Sequence, residues 1–529
     1  MRKIVQCIVL LALVAGCSGQ DATPSPTPAE QAAAPTTAPT VAPTVAPTLA
    51  PTAAPTTAPT RPPRPTATPQ PAPAWTAEDE RWAGRSIYFL LTDRFANGDP
   101  SNDGADGFGP DLADPRGWHG GDFQGVIDQL DYIKGMGFDA IWITPVTRQK
   151  SANAFHGYWQ YDPYQIDPHL GSMDKLKELV AAAHERDMLV MIDVVPNHMG
   201  DFQPGSTAAP PFDDPSWYHN KGNIANYGNQ QEVEQGDLLG LDDLNQENPA
   251  TRAELLKWIT WLRDETGLDG LRVDTAKHMP GDFLTEFNAA ADTYSMGEVF
   301  NSFTGYVAPY SRQLDSVADY PFYEAAKESL GGSKPLQILQ RVFADDGLYR
   351  NIHTVGTFLD NHDNERFLCL ATGGPDDDKQ AQLHQALAVM FTVRGIPIVY
   401  YGTEQGFAGC ADPANREDMF AAFDPASETY AWLAKLNALR KAHPSLIRGS
   451  TADRYLDSDG WAFQRTSGDD TAVVCVNNVW RPYQFSAGEL AGLPDGTVLT
   501  DALGGGSVTV EGGAIPCDLA DKQVAVYVK

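Results

Sequence analysis

The sequence predicts an α/β fold: a (β/α)8 barrel with a B segment inserted after its third strand and a C-terminal antiparallel β-sandwich. Three observations carry this. Eight short apolar runs alternate, for the most part, with helical patterns; polar and acidic residues recur where those runs end; and after residue 444 the pattern changes to short alternating strands. Apolar strands alternating with helices make a parallel sheet. Chemistry-bearing side chains at the carboxyl ends of its strands are how such a barrel builds a site.

The strand readings are 87–91, 140–144, 189–195, 270–274, 294–298, 315–320, 354–359 and 396–401, with helical patterns such as 173–186 and 252–266 between them. The connection after the third strand, about 198–244, is long and rich in Asn, Gln, Gly and Pro, and a loop of that length inside a compact unit is usually functional. A helix at 429–441 ends the barrel pattern, and runs such as 461–465 and 471–477 open the C-terminal unit, 445–529. The barrel unit is therefore 79–444.

The amino-terminal stretch is not part of either unit. Met1-Arg2-Lys3 is positive, and the apolar run that follows is too short to span a bilayer. Val14-Ala15-Gly16-Cys17 has the form of a bacterial lipoprotein box, which makes 1–17 a signal segment and Cys17 the lipid-bearing residue; ordinary signal cleavage is the alternative. Residues 18–78 form a linker, Pro/Thr/Ala-rich as far as about Ala74. Such a tract buries no core and is expected to act as an extended spacer. The construction reads as an exported protein held at the bacterial surface by a lipid anchor.

Lys and Arg number 38 against 69 Asp and Glu, a net charge of −31. That excludes a nucleic-acid partner, which needs a basic surface, and suits a neutral substrate. The chain is expected to be a monomer.

The run Gly-Leu-Asp-Gly-Leu-Arg-Val-Asp (267–274) ends in a charged pair. Residues two apart on a strand face one side, so Arg272 and Asp274 project together. A guanidinium beside a carboxylate favours the anion, and a rigid anionic carboxylate is a nucleophile for glycosyl chemistry; a purely structural ion pair is the other reading. The strand endings at Glu298, at His362 and Asp363, and at Asp193, Asn197 and His198 favour the chemical one.

At these residues the chain resembles the α-amylase family, glycoside hydrolase family 13. The motifs are Asp-Val-Val-Pro-Asn-His (193–198), Leu-Asp-Asp-Leu-Asn (241–245), Gly-Leu-Arg-Val-Asp-Thr-Ala-Lys-His (270–278), Gly-Glu-Val (297–299) and Asn-His-Asp (361–363). His-Gly-Tyr-Trp-Gln (156–160) and Asp-Pro-Ala-Asn-Arg-Glu (412–417) are similar to fungal-type α-amylases. Tyr-Tyr-Gly-Thr-Glu-Gln (400–405) is also similar to cyclodextrin glucanotransferases.

The resemblance implies retaining hydrolysis of internal α-1,4-glucosidic bonds in starch-like glucans and maltooligosaccharides. Asp274 would be the nucleophile, Glu298 the general acid/base and Asp363 the residue that orients the sugar ring. Arg272, His198, His362, Tyr158, His156, Trp159, Lys277, Asp412, Arg416 and Tyr227 would contact substrate, with Tyr158 as a stacking platform. Arg272 is expected to hold Asp274 ionised while Glu298 stays protonated. A structural Ca²⁺ would be held by Asn197 and Asp243 through side chains and by Glu234 and His278 through backbone carbonyls, since hard cations take oxygen ligands. Gly236 stands where fungal relatives carry a cysteine, so a disulfide bracing their B segment is missing here.

Setting aside Cys7 and Cys17 leaves Cys369, Cys410, Cys475 and Cys517, whose even number in an exported protein favours disulfides. Three pairings are open, and free buried thiols are a further alternative. Cys369 with Cys410, on loops after adjacent barrel strands, and Cys475 with Cys517, both in the C-terminal unit, is the preferred set.

Rival readings are a cyclodextrin glucanotransferase-like transglycosylase, a non-catalytic glucan-binding surface lipoprotein, and a metal-dependent hydrolase. The first usually continues into further β domains. The second does not need Asp274, Glu298 and Asp363 together. The third lacks a ligand pattern such as His-Glu-x-x-His.

Overall fold

A computed structural model describes residues 75–200, 208–375 and 377–529. Cys17 and the linker up to residue 74 lie outside the described residues, as do 201–207 of the long connection. The helices that matter below are α1 (Ala77–Trp82), α2 (Met173–His184), α3 (Gln230–Gln235), α4 (Pro249–Thr266), α5 (Gly281–Ala291), α6 (Lys379–Thr392) and α7 (Glu428–Ala442).

Eight parallel strands form the barrel: β1 (Ile87–Leu90), β2 (Ala140–Ile143), β3 (Leu189–Val194), β4 (Gly270–Val273), β5 (Tyr294–Gly297), β6 (Ser316–Val317), β7 (Gly356–Phe358) and β8 (Ile396–Tyr400). They pair in the order β6-β5-β4-β3-β2-β1-β8-β7, and one parallel bridge, Ala318 with Gly356, links the two ends. Strands wrapped by helices are buried on both faces and read as continuous apolar runs, as Ile-Tyr-Phe-Leu in β1 does. All eight sequence readings are strands, but the sixth shrinks to two residues. Asp319 ends it by accepting from the amide of Phe322 at 3.1 Å, capping a helix that starts at Tyr320 with Pro321 in its first turn.

The amino mouth is closed by α1. Trp82 stacks on Tyr294 with centroids 4.8 Å apart, and its indole donates to the carbonyl of Asp269 at 3.2 Å. This explains the glycine opening β4: a Cβ at Gly270 would sit 2.6 Å from the Trp82 ring. Side chains cap α2, α4, α6 and α7 at their amino ends. Asn248 caps α4, with Pro249 in the first turn and Gly267 left-handed at its end (φ 68°).

At the carboxyl mouth, two connections shape the surface. Between β2 and α2, Thr147–Gln149 pairs antiparallel with Gln160–Ile166, a hairpin the sequence reading did not separate from the barrel loops. After β3 the long connection returns so that residues 242–244 lie beside 197–199. Met199 donates to the carbonyl of Asp242 at 3.0 Å and Leu244 to that of Asn197 at 2.9 Å.

The C-terminal strands are β9 (Ser450–Leu456), β10 (Gly460–Ser467), β11 (Asp470–Asn477), β12 (Tyr483–Ala487), β13 (Val498–Asp501), β14 (Ser507–Thr509), β15 (Ile515–Leu519) and β16 (Val524–Val528). A six-stranded sheet, β9-β10-β11-β16-β13-β14, packs with the pair β12-β15 over Ala462, Val473, Leu499 and Ala525. Cys475 on β11 is bonded to Cys517 on β15, joining the two sheets, and Cys369 is bonded to Cys410, so the preferred pairing is the one formed.

Candidate active site

Pairing of β3 with β4 sets Asp193 level with Arg272, and pairing of β4 with β5 sets Val273 level with Gly297. Side chains level on adjacent parallel strands face the same way, so Asp193, Arg272, Asp274 and Glu298 meet. The Arg272 guanidinium lies 2.6 Å from Asp274 Oδ1, 2.8 Å from Glu298 Oε1 and 3.1 Å from each Asp193 oxygen. Arg272 is 2 % exposed, Asp274 6 % and Glu298 7 %.

Each acid has further donors. Glu298 Oε2 accepts from the amide of Thr275 at 2.9 Å, and Oε1 from the hydroxyl of Tyr320 at 3.3 Å. Asp193 accepts from the hydroxyl of Tyr158 at 2.7 Å and the indole of Trp142 at 3.3 Å. These bonds to Asp193 and Tyr320 were not foreseen. Asp193 stood at the end of its apolar run, but Tyr320 carried no signal beyond its place after a strand.

Arg272 favours the Asp274 anion, as expected, but it works against burial and two neighbouring acids. Burial pushes the Asp274 carboxyl well above its ordinary range, Arg272 opposes this, and the Glu298 and Asp193 charges add to the rise. Burial likewise pushes Asp193 up to about 7 against the pull of Arg272. One cation divided among three buried acids cannot offset the desolvation of all of them.

Asp363 is exposed at the mouth. It lies 3.3 Å from His362 Nε2 and 3.5 Å from the Arg416 guanidinium, which also bonds Asp412 at 3.2 Å and the His362 carbonyl at 3.1 Å. Arg116, from the loop after β1, reaches Asp412 at 3.0 Å, a long-range contact without local sequence signal. The Tyr158 ring stacks on His362 with centroids 5.2 Å apart and planes 4° apart. Gly157 has φ +89° and a Cβ there would lie 2.5 Å from the Pro145 carbonyl, so glycine fixes the turn between His156 and Tyr158. His156 accepts from the Tyr158 amide at 3.0 Å, and its ring meets Trp159 edge-on at 5.1 Å. Burial drives both His156 and His362 well below their ordinary range, with Arg416 adding to the effect, so both are neutral.

His198 is also neutral, pushed down to about 4 by burial. Its Nδ1 accepts from the Asn197 amide at 3.2 Å, leaving Nε2 to donate to the Tyr158 carbonyl at 3.3 Å. Lys277 donates to the Phe300 carbonyl at 3.1 Å. Tyr227 is 46 % exposed on the long connection, outside this hydrogen-bonded network.

Among the described residues no cluster of three or more His, Cys, Asp or Glu is placed to hold a metal. The expected calcium ligands are of a different kind, mostly amide and carbonyl oxygens, and the chemistry of the two side-chain donors suits a hard cation. Asn197 Oδ1 and Asp243 Oδ1 are both buried with no hydrogen-bond partner. Buried polar atoms are rarely left so without a reason. The segment carrying His278 lies against α3, which carries Glu234: His278 Nδ1 bonds the Val233 carbonyl at 3.2 Å, and Gln230 donates to the Lys277 carbonyl at 2.9 Å.

A barrel whose carboxyl mouth gathers buried acids on one arginine, with neutral histidines and a tyrosine alongside, is the arrangement of a glycoside hydrolase. Comparison with known proteins gives the family. Residues 89–442 match the α-amylase catalytic domain, and the chain belongs to the α-amylase family. It is 50 % identical over 461 residues to a β/α-amylase of Paenibacillus polymyxa, covering 86 % of this chain but only 38 % of that protein's length. The solved α-amylase of Anoxybacillus superposes with a TM-score of 0.78 at 38 % identity, over 84 % of this chain and 98 % of that one. CldA, a cyclomaltodextrin glucanotransferase with a three-domain ABC distribution, superposes with a TM-score of 0.77 at 30 % identity, over 84 % and 99 %. That last likeness removes domain number as a way to tell hydrolase from transglycosylase. Among the described residues no helix is long and apolar enough to cross a membrane.

Proposed function

We propose that this protein is an α-amylase that hydrolyses internal α-1,4 bonds of starch-like glucans with retention. The observation that supports it most is the shared guanidinium, 2.6 Å from Asp274 and 2.8 Å from Glu298. Contact with one guanidinium brings the two carboxyls close together, and a covalent glycosyl intermediate needs a pair roughly 5–5.5 Å apart.

In this reading the acid cluster retains one proton at neutral pH, because three buried carboxylates outnumber one cation. The productive arrangement puts it on Glu298. An Asp274 oxygen attacks the anomeric carbon while Glu298 passes its proton to the departing glycosidic oxygen, giving a glycosyl ester on Asp274. Glu298, now anionic, takes a proton from water, which attacks the same carbon from the face the leaving group left. Asp274 departs and the configuration is retained. Asp363, with His362, orients the ring. Asp412 and Arg416 bind a further glucose, and Tyr158 stacks against a sugar ring. His198, His156, Trp159, Lys277 and Tyr227 complete the contacts with the glucan. Ca²⁺ bound by Asn197, Asp243, Glu234 and His278 would lock the long connection against the barrel. The chain is exported and anchored by lipid on Cys17; labelling cells with an alkyne fatty acid should mark wild type and spare Cys17→Ser.

Glu298→Gln tests the chemistry. Wild type should release reducing sugar from soluble starch, with activity lower by several orders of magnitude in the variant; no wild-type turnover, or an active variant, rejects the reading. The likeness to CldA favours one alternative, transglycosylation. Mass analysis of products separates the two, since cyclic glucans would identify a transferase and linear maltooligosaccharides a hydrolase.

A further inference from the structure

His219 stands in the long connection, and neither the catalytic reading nor the calcium ligand set uses it. Its side chain is only 5 % exposed, and both ring nitrogens meet carboxylates: Nδ1 lies 2.5 Å from Asp243 Oδ2 and Nε2 lies 3.0 Å from Glu247 Oε2. The main chain fixes the ring as well, since the His219 amide donates to the Asp243 carbonyl at 3.1 Å. With Oδ2 engaged by the imidazole, the Asp243 carboxylate can turn only its other oxygen inward. That oxygen, Oδ1, is the buried atom without a partner, and Asn197 Oδ1 is another. The chain of contacts continues outward. Glu247 Oε1 accepts from Gln235 Nε2 at 3.1 Å, and Gln235 is the last residue of α3, next to Glu234.

We propose that His219 is a positioning residue for the cation. It orients Asp243 so that Oδ1 points into the calcium site, and through Glu247 and Gln235 it ties that carboxylate to the helix presenting the Glu234 carbonyl. This rests on the calcium reading above. A hydrogen-bonding group behind a metal ligand sets the ligand's direction, and losing it typically weakens affinity by about 10–100-fold.

The test measures Ca²⁺ binding by isothermal titration, with melting temperature followed in chelator and in excess Ca²⁺, for wild type, His219→Ala, His219→Asn and His219→Gln. The Asn amide nitrogen takes the place of Nδ1, whereas the Gln amide reaches the place of Nε2. Wild type should bind Ca²⁺ and melt higher with it. His219→Ala and His219→Gln should bind at least about tenfold more weakly and show a smaller calcium-dependent rise in melting temperature, while His219→Asn returns to within about threefold of wild type. A packing role alone would lower the chelated melting temperature and leave the Ca²⁺ dissociation constant unchanged, and that result overturns the proposal. If His219→Ala does not fold, the comparison of Asn with Gln decides: equal affinities overturn it. Absence of Ca²⁺ binding by wild type would instead reject the calcium reading itself.

Discussion

Arg272 and Asp274 sit two residues apart on β4 and are joined at 2.6 Å, while the same guanidinium spans to Glu298 at 2.8 Å. The planar fork makes this possible, because separate N–H groups aim at separate acids; an ammonium is a compact point charge that cannot reproduce the geometry. Arg272→Lys is therefore expected to lower kcat on soluble starch by about a hundredfold or more, with a much smaller change in KM. A variant within threefold of wild type would show that charge alone suffices.

Tyr158 donates to Asp193 at 2.7 Å and stacks on His362. Tyr158→Phe keeps the ring but removes the donor, so Asp193, already pushed up by burial, holds its proton to still higher pH. The expected outcome is a kcat loss of about tenfold with KM nearly unchanged. Tyr158→Ala should raise KM as well, because the ring face is lost. Steady-state kinetics on a defined maltooligosaccharide distinguish the two.

Cys369–Cys410 and Cys475–Cys517 close loops of similar length, with sequence separations of 41 and 42. Chain entropy predicts a loss of about 4 kcal/mol for removing either one. Their functional effects should differ. Cys369 and Cys410 flank the loops carrying Asp363 and Asp412, so Cys369→Ser/Cys410→Ser should also raise KM. Cys475→Ser/Cys517→Ser should lower the melting temperature and leave KM alone. Equal KM values in both would show that the first bridge does not hold the site.

His119 joins the loop after β1 to the loop after β8, with Nδ1 2.7 Å from Asp418 and Nε2 3.0 Å from the Asp114 carbonyl. Burial, the largest single influence, pulls its pKa down, but the bonds to Asp418 and to the Asp114 carbonyl together with the Asp418 charge outweigh it, and the net shift is upward. A histidine raised in the folded state stabilises most below its unfolded pKa, and that contribution disappears as pH rises through the folded value. His119→Gln should thus cost on the order of 1–2 kcal/mol at pH 5.5 and distinctly less at pH 9, read by denaturant unfolding at both. A cost independent of pH would contradict the charged link.

Strand ends were legible because a parallel barrel strand is a short apolar run whose last residues change abruptly to polar. β6 was overextended because Asp319 and Tyr320 look like a continuing strand until the capping geometry is known. Arg272 beside Asp274 could be read along one strand, and that pairing is present. What could not be read is the lateral register, which brings Asp193 and Glu298 to the same cation and sets their charges, with burial, against the pull of Arg272 on Asp274. Contacts such as Arg116 with Asp412 span 296 residues and leave no trace in local pattern.

The shared arginine also bears on how such an enzyme adapts. Any exchange at Asp193, Arg272, Asp274 or Glu298 disturbs the proton balance of the other three, so none can drift alone. Lineages moving to sour or alkaline habitats would have to retune themselves through the neighbours that donate to this quartet, such as Trp142, Tyr158 and Tyr320, and variation among natural sequences should collect there.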